Sequence, residues 1–245
     1  LFSGLITSSI FLFYTFFYLS KFTKIKIDFG QILNLNKIKD IFNINLNIFI
    51  RTILLTFSFL WFTYLGTQIG EDYVAANAIL INLVFLSAFI LDAYAFSTEG
   101  IVGYSLGKKD LNLFKNIVKN SFILSSISGL IISIIYFFAY EYVINLMSDL
   151  EEIRKLSSSY VIWLIILPLI SSFCYQFDGI FIGASQTKEL RNAMIFSVLS
   201  YLIISIVLTK LLFNNGIWIS LCIFMILRAL SLFYYLNKIY LRFKS

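Results

Sequence analysis

The chain has 245 residues, of which 60% are hydrophobic, 18% aromatic and only 13% charged, and its formal net charge is +6. Together with a mean hydropathy of +0.89, this composition excludes an ordinary soluble domain and indicates an integral membrane protein. Long apolar blocks separated by short charged segments favour helices over a β-barrel. The predicted fold class is therefore all-α, a polytopic bundle of transmembrane helices.

The residue types also limit the chemistry. The chain has no histidine, and its two cysteines, Cys174 and Cys222, lie inside apolar blocks. We therefore expect no metal site, no disulfide framework and no cofactor. The basic excess does not predict a nucleic-acid partner, because membrane proteins store Lys and Arg in their cytoplasmic loops. The expected partner is the lipid bilayer.

Apolar runs predict the spans in chain order. Allowing about 20 residues for each crossing, we predict seven spans, at residues 1–20, 45–69, 73–106, 116–140, 155–184, 191–213 and 216–237. Residues 21–44 mix Ile and Leu with Lys and Asn, which predicts an amphipathic linker on the inner leaflet. Because the chain begins at Leu1 without a charged leader, we expect a preceding segment to be missing.

Basic residues predict the orientation. Most of the 19 basic residues flank the first, third and fifth connections and the carboxyl terminus, so these sites are predicted to be cytoplasmic. The other connections carry acids such as Glu71, Asp72, Glu151 and Glu152. An odd number of spans then starts residue 1 outside, which suits a helix that ends a longer bundle.

Four ionisable residues fall inside the predicted spans: Asp92, Glu99, Asp178 and Arg228. Each costs roughly 2.5 to 3.5 kcal/mol in a bilayer and therefore needs a partner, water or a proton. Counting about 1.5 Å per residue from the nearest lysines predicts similar depths for Glu99 and Asp178 and a midplane position for Asp92. Either acid could pair with Arg228, whereas Arg51 is interpreted as a residue that snorkels to the inner surface.

Two segments are similar without a gap: EGIVGYSLGKKDL, from Glu99, and DGIFIGASQTKEL, from Asp178. Both begin with an acid, Gly and Ile, and both end with Lys, an acid and Leu. A repeat of helical hairpins and a chance similarity both remain open. Small residues allow close helix packing, and this role is predicted for the glycines of the same segments, Gly100, Gly103, Gly107, Gly179 and Gly183.

Four stretches carry a family resemblance: AANAILINLV, LDAYAFSTEGIVG, YVIWLIILPLISSFCYQFDGIFIGASQTKELRNAM and LRALSL. From about residue 45 to 240 the chain resembles the DinF branch of the MATE (multidrug and toxic compound extrusion) transporters. The resemblance implies two six-helix lobes around a central cavity, in a bacterial or archaeal-type plasma membrane. It also implies that residues 1–20 are the last helix of an otherwise missing N-lobe, and residues 45–245 the C-lobe.

The leading functional hypothesis from this resemblance is secondary active multidrug efflux by alternating access, with this chain as the C-terminal half. Organic cations would leave in exchange for H⁺ or Na⁺. Asp92, Glu99, Asp178 and Arg228 would be substrate-linked or proton-linked, and Tyr94, Phe96 and Tyr175 could contact flat cations. The carboxylate usually assigned to coupling in this branch lies on an N-lobe helix that this chain does not contain, so the coupling ion stays open.

Three other functions compete with this hypothesis. A flippase for lipids or lipid-linked precursors would need cationic residues for phosphate, and Arg228 is the single candidate for that role. A fragment or structural membrane subunit without transport activity is also compatible with a missing lobe. A membrane enzyme is disfavoured, because the chain offers no histidine for an interfacial reactive cluster.

Overall fold

A computed structural model describes residues 2–22 and 35–243 of the chain. The described residues form eight helices: α1 (Phe2–Phe22), α2 (Leu35–Ile69), α3 (Glu71–Gly107), α4 (Leu111–Met147), α5 (Glu151–Ser159), α6 (Val161–Gly183), α7 (Thr187–Leu212) and α8 (Asn214–Leu241). The chain divides into two compact units, Leu1–Asn43 and Ile44–Ser245. All of the site residues considered below lie in the second unit.

Among the described residues, six helices are long and apolar enough to cross a membrane: α2, α3, α4, α6, α7 and α8. In α2 the candidate span begins at Ile38. They correspond to the second to seventh predicted spans, so the all-α membrane bundle is confirmed. At the first predicted span, α1 is a 21-residue helix whose described side chains form an apolar stretch at Ile6–Thr15. The crossing of the membrane by α1 stays a prediction.

The predicted span at 155–184 is wrong at its start. The structure ends α5 at Ser159 and begins α6 at Val161, with Tyr160 between them in a non-helical conformation. Three consecutive serines precede this break, and Ser159 donates its hydroxyl to the carbonyl of Leu156 at 2.6 Å. Serine hydroxyls compete with the helical hydrogen bonds of the backbone, so the short polar helix α5 stops before the apolar α6 begins.

The second span begins earlier than predicted. Residues 35–44 were assigned to the linker, but they form the first turns of α2, which continues without a break to Ile69. Residues 23–34 of the predicted linker lie outside the described residues. The helix therefore places Arg51 16 residues after Leu35, about 24 Å along α2, rather than at the beginning of a span.

Within the second unit, α6 is the central helix, because it packs against α3, α4, α5, α7 and α8. Two apolar cores surround it. The first core includes Leu91, Tyr175 and Met225, and the second includes Ile180 and Leu232. Asp178 on α6 and Arg228 on α8 each fall between a residue of one core and a residue of the other. The bundle thus contains a charged layer between two apolar cores.

Glycines set the register between α3 and α6. A Cβ atom on Gly179 would lie 2.3 Å from the carbonyl oxygen of Ala95, and one on Gly183 would lie 2.4 Å from that of Glu99. Because both contacts advance by four residues, the two helices run parallel with their backbones nearly touching. Gly103 joins this contact, since its Cβ would meet the Gly183 carbonyl oxygen at 3.4 Å.

The described residues do not pack closely on Gly100 or Gly107. A Cβ atom on either residue would meet no atom of the described part of the chain within 4 Å, and both residues are exposed. The GxxxG spacing therefore did not by itself identify which glycines are in contact with another helix.

The helices α3 and α6 end in the same way. Lys109 and Ser185 adopt left-handed backbone conformations, with φ of 55° and 54°. The amide of Asp110 reaches back to the Ser105 carbonyl at 3.0 Å, and that of Gln186 to the Phe181 carbonyl at 2.8 Å. These are the hydrogen bonds of the Schellman motif. We call the end of the bundle that carries these two turns the lysine-rich end, after Lys108 and Lys109.

Candidate functional site: a charged cluster between the two cores

Asp178 binds two arginines with a single oxygen. The guanidinium of Arg228 donates from Nη2 to Asp178 Oδ2 at 2.7 Å, and that of Arg51 donates from Nη2 to the same oxygen. Arg228 and Asp178 are 1% and 5% exposed, and the Arg51 side chain is 15% exposed. The predicted pairing of Arg228 with Asp178 is confirmed. The interpretation of Arg51 as a snorkelling residue is wrong, because its guanidinium turns into the bundle.

The second carboxylate of the cluster is Asp92 on α3. It is half-buried, and it interacts electrostatically with Asp178, Arg51 and Arg228. Its side chain accepts no hydrogen bond from the residues that the structure describes. We call Arg51, Asp92, Asp178 and Arg228 the charged cluster. Its two acids and two arginines balance formally, which lets four charges share a low-dielectric layer.

The two carboxylates differ in how firmly they are held. Asp178 is fixed by two charge-assisted hydrogen bonds, which are about twice as strong as neutral ones. Asp92 is exposed in part and has charged neighbours without a direct bond. Asp178 Oδ1 and Arg51 Nε are buried without a partner among the described residues. Hydrogen-bonding capacity therefore remains within the cluster, on Asp178 and on Arg51.

Glu99 does not join the cluster, which corrects the predicted depths. The register of α3 and α6 places Gly183 beside Glu99 and Gly179 beside Ala95. Asp178 is therefore level with Tyr94, about two residues from Asp92, while Glu99 lies roughly 7 Å nearer the lysine-rich end. The prediction failed because it measured Asp178 from Lys188, and that lysine belongs to α7 rather than to α6.

The helix ends change the alignment of the two similar segments. Their equivalent turns align Lys109 with Ser185 in sequence, an offset three residues shorter than the one that aligns Glu99 with Asp178. The shorter offset superimposes Gly103 on Gly179. The gapless similarity therefore pairs acids that are not equivalent in structure, whereas the two glycine pairs and the two turns do correspond.

The aromatic candidates have different environments. Tyr94 is half-buried, and its phenolic oxygen lies 2.8 Å from the Ser128 hydroxyl, which donates to it. Tyr175 is 7% exposed and belongs to the first apolar core, whereas Phe96 is 69% exposed. In this conformation Tyr94 and Phe96 are accessible to a ligand and Tyr175 is not.

Sequence reasoning did not identify the partners in two polar contacts near the cluster. Arg51 was misjudged because the true start of α2 lies ten residues earlier than predicted. Gln176 is fully buried and accepts a hydrogen bond from the Thr98 hydroxyl at 2.9 Å. The sequence did contain a signal for this pair. Thr98 and Gln176 are polar residues next to or near the predicted site residues Glu99 and Asp178, and glycines bring their two helices into contact.

A second buried network ties α3 to α8 at the other end of the bundle. Asn77 and Asn214 exchange side-chain hydrogen bonds at 2.6 and 3.0 Å. The indole nitrogen of Trp218 also donates to Asn77, at 2.9 Å. All three residues are at most 3% exposed. This network contains no ionisable group, so it fixes the helices without carrying charge.

The described residues contain no group of three or more His, Cys, Asp or Glu that could hold a metal ion, and both cysteines are buried thiols. The fold and the site together define an integral, multi-pass membrane protein. Inside one helix bundle it holds a layer of two acids and two arginines whose formal charges cancel.

Comparison with known proteins defines the family. The MatE family profile matches residues 48–211, and the DNA damage-inducible protein F of Escherichia coli K12 is 34% identical over 189 residues. The chain therefore belongs to the MatE family, as a member of the DinF type, and this family consists of transporters rather than enzymes. The aligned part is 77% of this chain and 41% of the E. coli protein, so the chain spans about two fifths of that relative.

Solved structures support the fold. An outward-facing multidrug resistance MATE family transporter of the MOP superfamily matches with a TM-score of 0.86 and 14% identity, over 98% of this chain and 55% of its own. A MOP superfamily transporter from Pyrococcus furiosus matches with a TM-score of 0.72 and 21% identity, over 81% and 44%. At these identities the similarity shows the shared helix arrangement alone.

Proposed function

We propose that the second unit is one lobe of a cation-coupled efflux transporter, and that Asp92 is its coupling carboxylate. A second lobe would complete the central cavity, and alternating access would export organic cations in exchange for H⁺ or Na⁺. The proposed orientation places the lysine-rich end and the carboxyl terminus in the cytoplasm. Family membership supports transport, and the charged cluster supports the assignment of Asp92.

This assignment rests on the difference in bonding between the two acids. Asp178 accepts from two arginines, so adding a proton there would break two buried ion pairs. Asp92 can take up a proton without breaking a direct bond. A proton or sodium ion on Asp92 would change the formal charge of the cluster from zero to +1.

This change of charge supplies a mechanism for exchange. With Asp92 ionised, a flat organic cation can approach it from the side of Tyr94 and Phe96, where charge and aromatic faces both attract a cation. When H⁺ or Na⁺ binds Asp92, Arg51 and Arg228 outnumber the remaining acid. The excess positive charge then repels the organic cation. Binding of the coupling ion and binding of the substrate thus exclude each other.

The test is an efflux assay in the cell that makes the protein, with a fluorescent organic cation as substrate. We expect Asp92→Asn to lower the efflux rate at least tenfold at unchanged protein level, the size of effect expected for a group essential to coupling. Glu99→Gln, a neutralised acid on the same helix, should keep most of the activity. Collapsing the proton gradient or the sodium gradient separately identifies the ion.

Full efflux by Asp92→Asn would remove this residue from the mechanism and leave Asp178 or another acid to be tested. Absence of any efflux, with the wild-type protein present in the membrane, would favour a structural subunit.

A lipid flippase is the second candidate, and Arg51 is the observation that favours it. Two arginines at membrane depth could hold a phosphate, and the structure of the P. furiosus transporter is described as having a binding pocket of reverse polarity. Against this function, both guanidiniums are already bonded to Asp178, and Asp92 balances the remaining positive charge. Binding of a lipid-linked phosphate that is lost in Arg51→Gln, without binding of organic cations, would favour the flippase.

A further inference from the structure

The two arginines of the charged cluster are held in different ways. Arg228 is 1% exposed. Besides its bond to Asp178, its guanidinium donates from Nη1 to the Met225 sulfur at 3.4 Å, and its Cζ lies 5.4 Å from the centre of the Phe224 ring. The Arg51 side chain is 15% exposed, and its Nε has no partner among the described residues. Arg228 is therefore fixed by three contacts, whereas Arg51 is hydrogen-bonded within the described chain through Asp178 alone.

Arg51 lies on the least buried of the candidate spans. In α2, 17% of the apolar stretch is buried, against 56% in both α6 and α8. None of the close helix pairs in the described chain includes α2. Other side-chain bonds connect α2 to α7: Asn47 accepts from Arg191 at 2.8 Å, and Trp61 donates to Ser205 at 2.9 Å. A small shift of α2 against α3 and α6 therefore disturbs few buried contacts.

Asp92 is the acid of the cluster that lacks a direct bond. Of the two arginines, Arg51 has the stronger electrostatic interaction with Asp92, and Asp92 lies about two residues, or roughly 3 Å, from the level of Asp178 along the bundle. Two acids and two arginines are most stable as two pairs, because two guanidiniums on one carboxylate repel each other. With Asp92 ionised, Arg51 should therefore bond Asp92. With Asp92 neutralised, Asp178 is the acid that remains charged, and it holds both arginines as in the structure.

We propose that Arg51 is the internal counterion of Asp92 and binds it whenever Asp92 holds neither H⁺, Na⁺ nor an organic cation. When one of these cations occupies Asp92, Arg51 moves to Asp178, which is the arrangement that the structure shows. This inference rests on the proposed role of Asp92. Arg51 is then a positioning residue, since it acts through Asp92 and needs no contact with the substrate.

This exchange of partners explains how transport becomes obligatory exchange. An occupied Asp92, with either H⁺ or substrate, leaves Arg51 on Asp178 and gives α2 one position. An empty Asp92 draws Arg51 toward α3 and gives α2 another position. Because the two occupied states share one position of α2, a change of access that requires this position cannot take place with an empty site. Each cycle then exchanges one cation for another.

The test follows the protonation of Asp92, so the charged and titratable groups around Asp92 matter. Those that interact with it come from α2, α6 and α8: Arg51, Cys174, Tyr175, Asp178 and Arg228. The substitution Asp92→Asn leaves these groups in place and removes the titration of Asp92. A pH effect that this substitution abolishes therefore belongs to Asp92.

The position of α2 is measured by double electron–electron resonance on the purified whole chain, in detergent and sodium-free buffer, between about pH 9 and about pH 4. Spin labels at Leu60→Cys in α2 and Phe138→Cys in α4 report the movement. The reference pair is Phe138→Cys with Tyr234→Cys in α8, because α4 and α8 both pack on α6. All three native residues are exposed, and Cys174 and Cys222 are buried.

We expect acidification to shift the mean distance between α2 and α4 by about 1 to 2 Å and to leave the reference distance unchanged. Ethidium, a flat organic cation, should produce the same shift at about pH 9. Asp92→Asn should keep the acid-side distance at every pH. Arg51→Gln should abolish the shift, and Arg51→Lys, which keeps the charge, should restore it. A merely structural role of Arg51 would not make the distance depend on pH.

A constant distance in the labelled protein, or an unchanged shift in Arg51→Gln, would overturn the inference. A shift that acid produces and ethidium does not would also overturn it, because the two occupied states would then differ. The efflux assay decides the proposed function separately. Full efflux by Asp92→Asn removes Asp92 from transport even where the distances change as expected, whereas lost efflux with a constant distance leaves its role intact and removes that of Arg51.

Discussion

At the scale of single residues, Asp178 is the centre of the charged cluster because it bonds two arginines from different helices. Arg228 is almost fully buried, so its charge depends on Asp178 for compensation. Breaking a buried ion pair by removing one partner costs about 3 to 5 kcal/mol, since the other charge stays behind. The same two ion pairs make Asp178 unsuited to carry a proton. They instead hold α2, α6 and α8 together.

We therefore predict that Asp178→Asn destabilises the bundle by about 3 to 5 kcal/mol. The measurement is thermal unfolding of the purified protein in detergent, followed by tryptophan fluorescence. The control is Glu151→Gln, which removes the acid of an ion pair whose two side chains are 72% and 76% exposed; its effect should stay below about 1 kcal/mol. Equal melting temperatures for the two variants would refute the buried pair.

Residue identities predicted part of this site. The sequence predicted that Arg228 pairs with Glu99 or Asp178, because a charge in an apolar span needs a partner, and the structure shows that the partner is Asp178. Arg51 could not be placed in the same way. The depth of Arg51 in the bundle depends on where α2 begins. The polar residues before residue 45 are equally typical of a linker, so the sequence placed Arg51 near the start of a span instead of well inside the helix.

At the scale of helices, the contact between α3 and α6 sets the depth of every acid. The glycine pair on α6 lets the two backbones approach until a single added methyl group would clash with a carbonyl oxygen. A backbone oxygen cannot move aside without shifting its helix. The register of α3 and α6 is thus fixed by main-chain contact rather than by side-chain preference.

We predict that Gly179→Ala destabilises the bundle by about 1 to 3 kcal/mol, although alanine is the better helix former. Gly100→Ala makes the same substitution on an open surface of α3 and should be neutral or stabilise by up to about 1 kcal/mol. Thermal unfolding of both variants checks this contrast. A stabilising Gly179→Ala would show that the helices do not touch at Ala95.

The buried amide network at the far end of α3 gives another prediction. In Asn77→Ala, the amide of Asn214 and the indole of Trp218 both lose their partner, and unpaired buried donors cost about 1 to 3 kcal/mol. Asn215→Ala removes an exposed amide that accepts one bond from Trp163 at 3.0 Å, and should cost less than about 1 kcal/mol. Urea unfolding would measure both, and a smaller loss in Asn77→Ala would contradict the network.

Helix ends limited what the sequence could predict at this scale. The apolar runs located six spans, because a bilayer demands a minimum length of apolar helix. The end of α6 was predicted to within one residue, since the predicted span ended at 184 and the helix ends at Gly183. The depth of Asp178 was wrong because it was counted from Lys188, which lies beyond this end on α7, and the count put Asp178 level with Glu99 instead of near Asp92.

At the scale of the whole molecule, the two apolar cores and the charged layer between them divide the bundle along its axis. In the proposed orientation, the lysine-rich end faces the anionic inner leaflet, and α5 lies at the opposite end of the bundle. The acids Glu151 and Glu152 open α5, so the distribution of charge at the two ends is opposite. This difference in charge between the two ends supports the proposed orientation.

We predict that single cysteines at the two ends react from opposite sides of the membrane. Ser159→Cys lies at the end of α5 and should react with an impermeant maleimide in intact cells. Asn112→Cys lies at the lysine-rich end and should react only after permeabilisation. Both positions are exposed, and Cys174 and Cys222 are buried, so the parent protein serves as the unlabelled control. The reverse pattern would place the lysine-rich end outside and would overturn the proposed orientation.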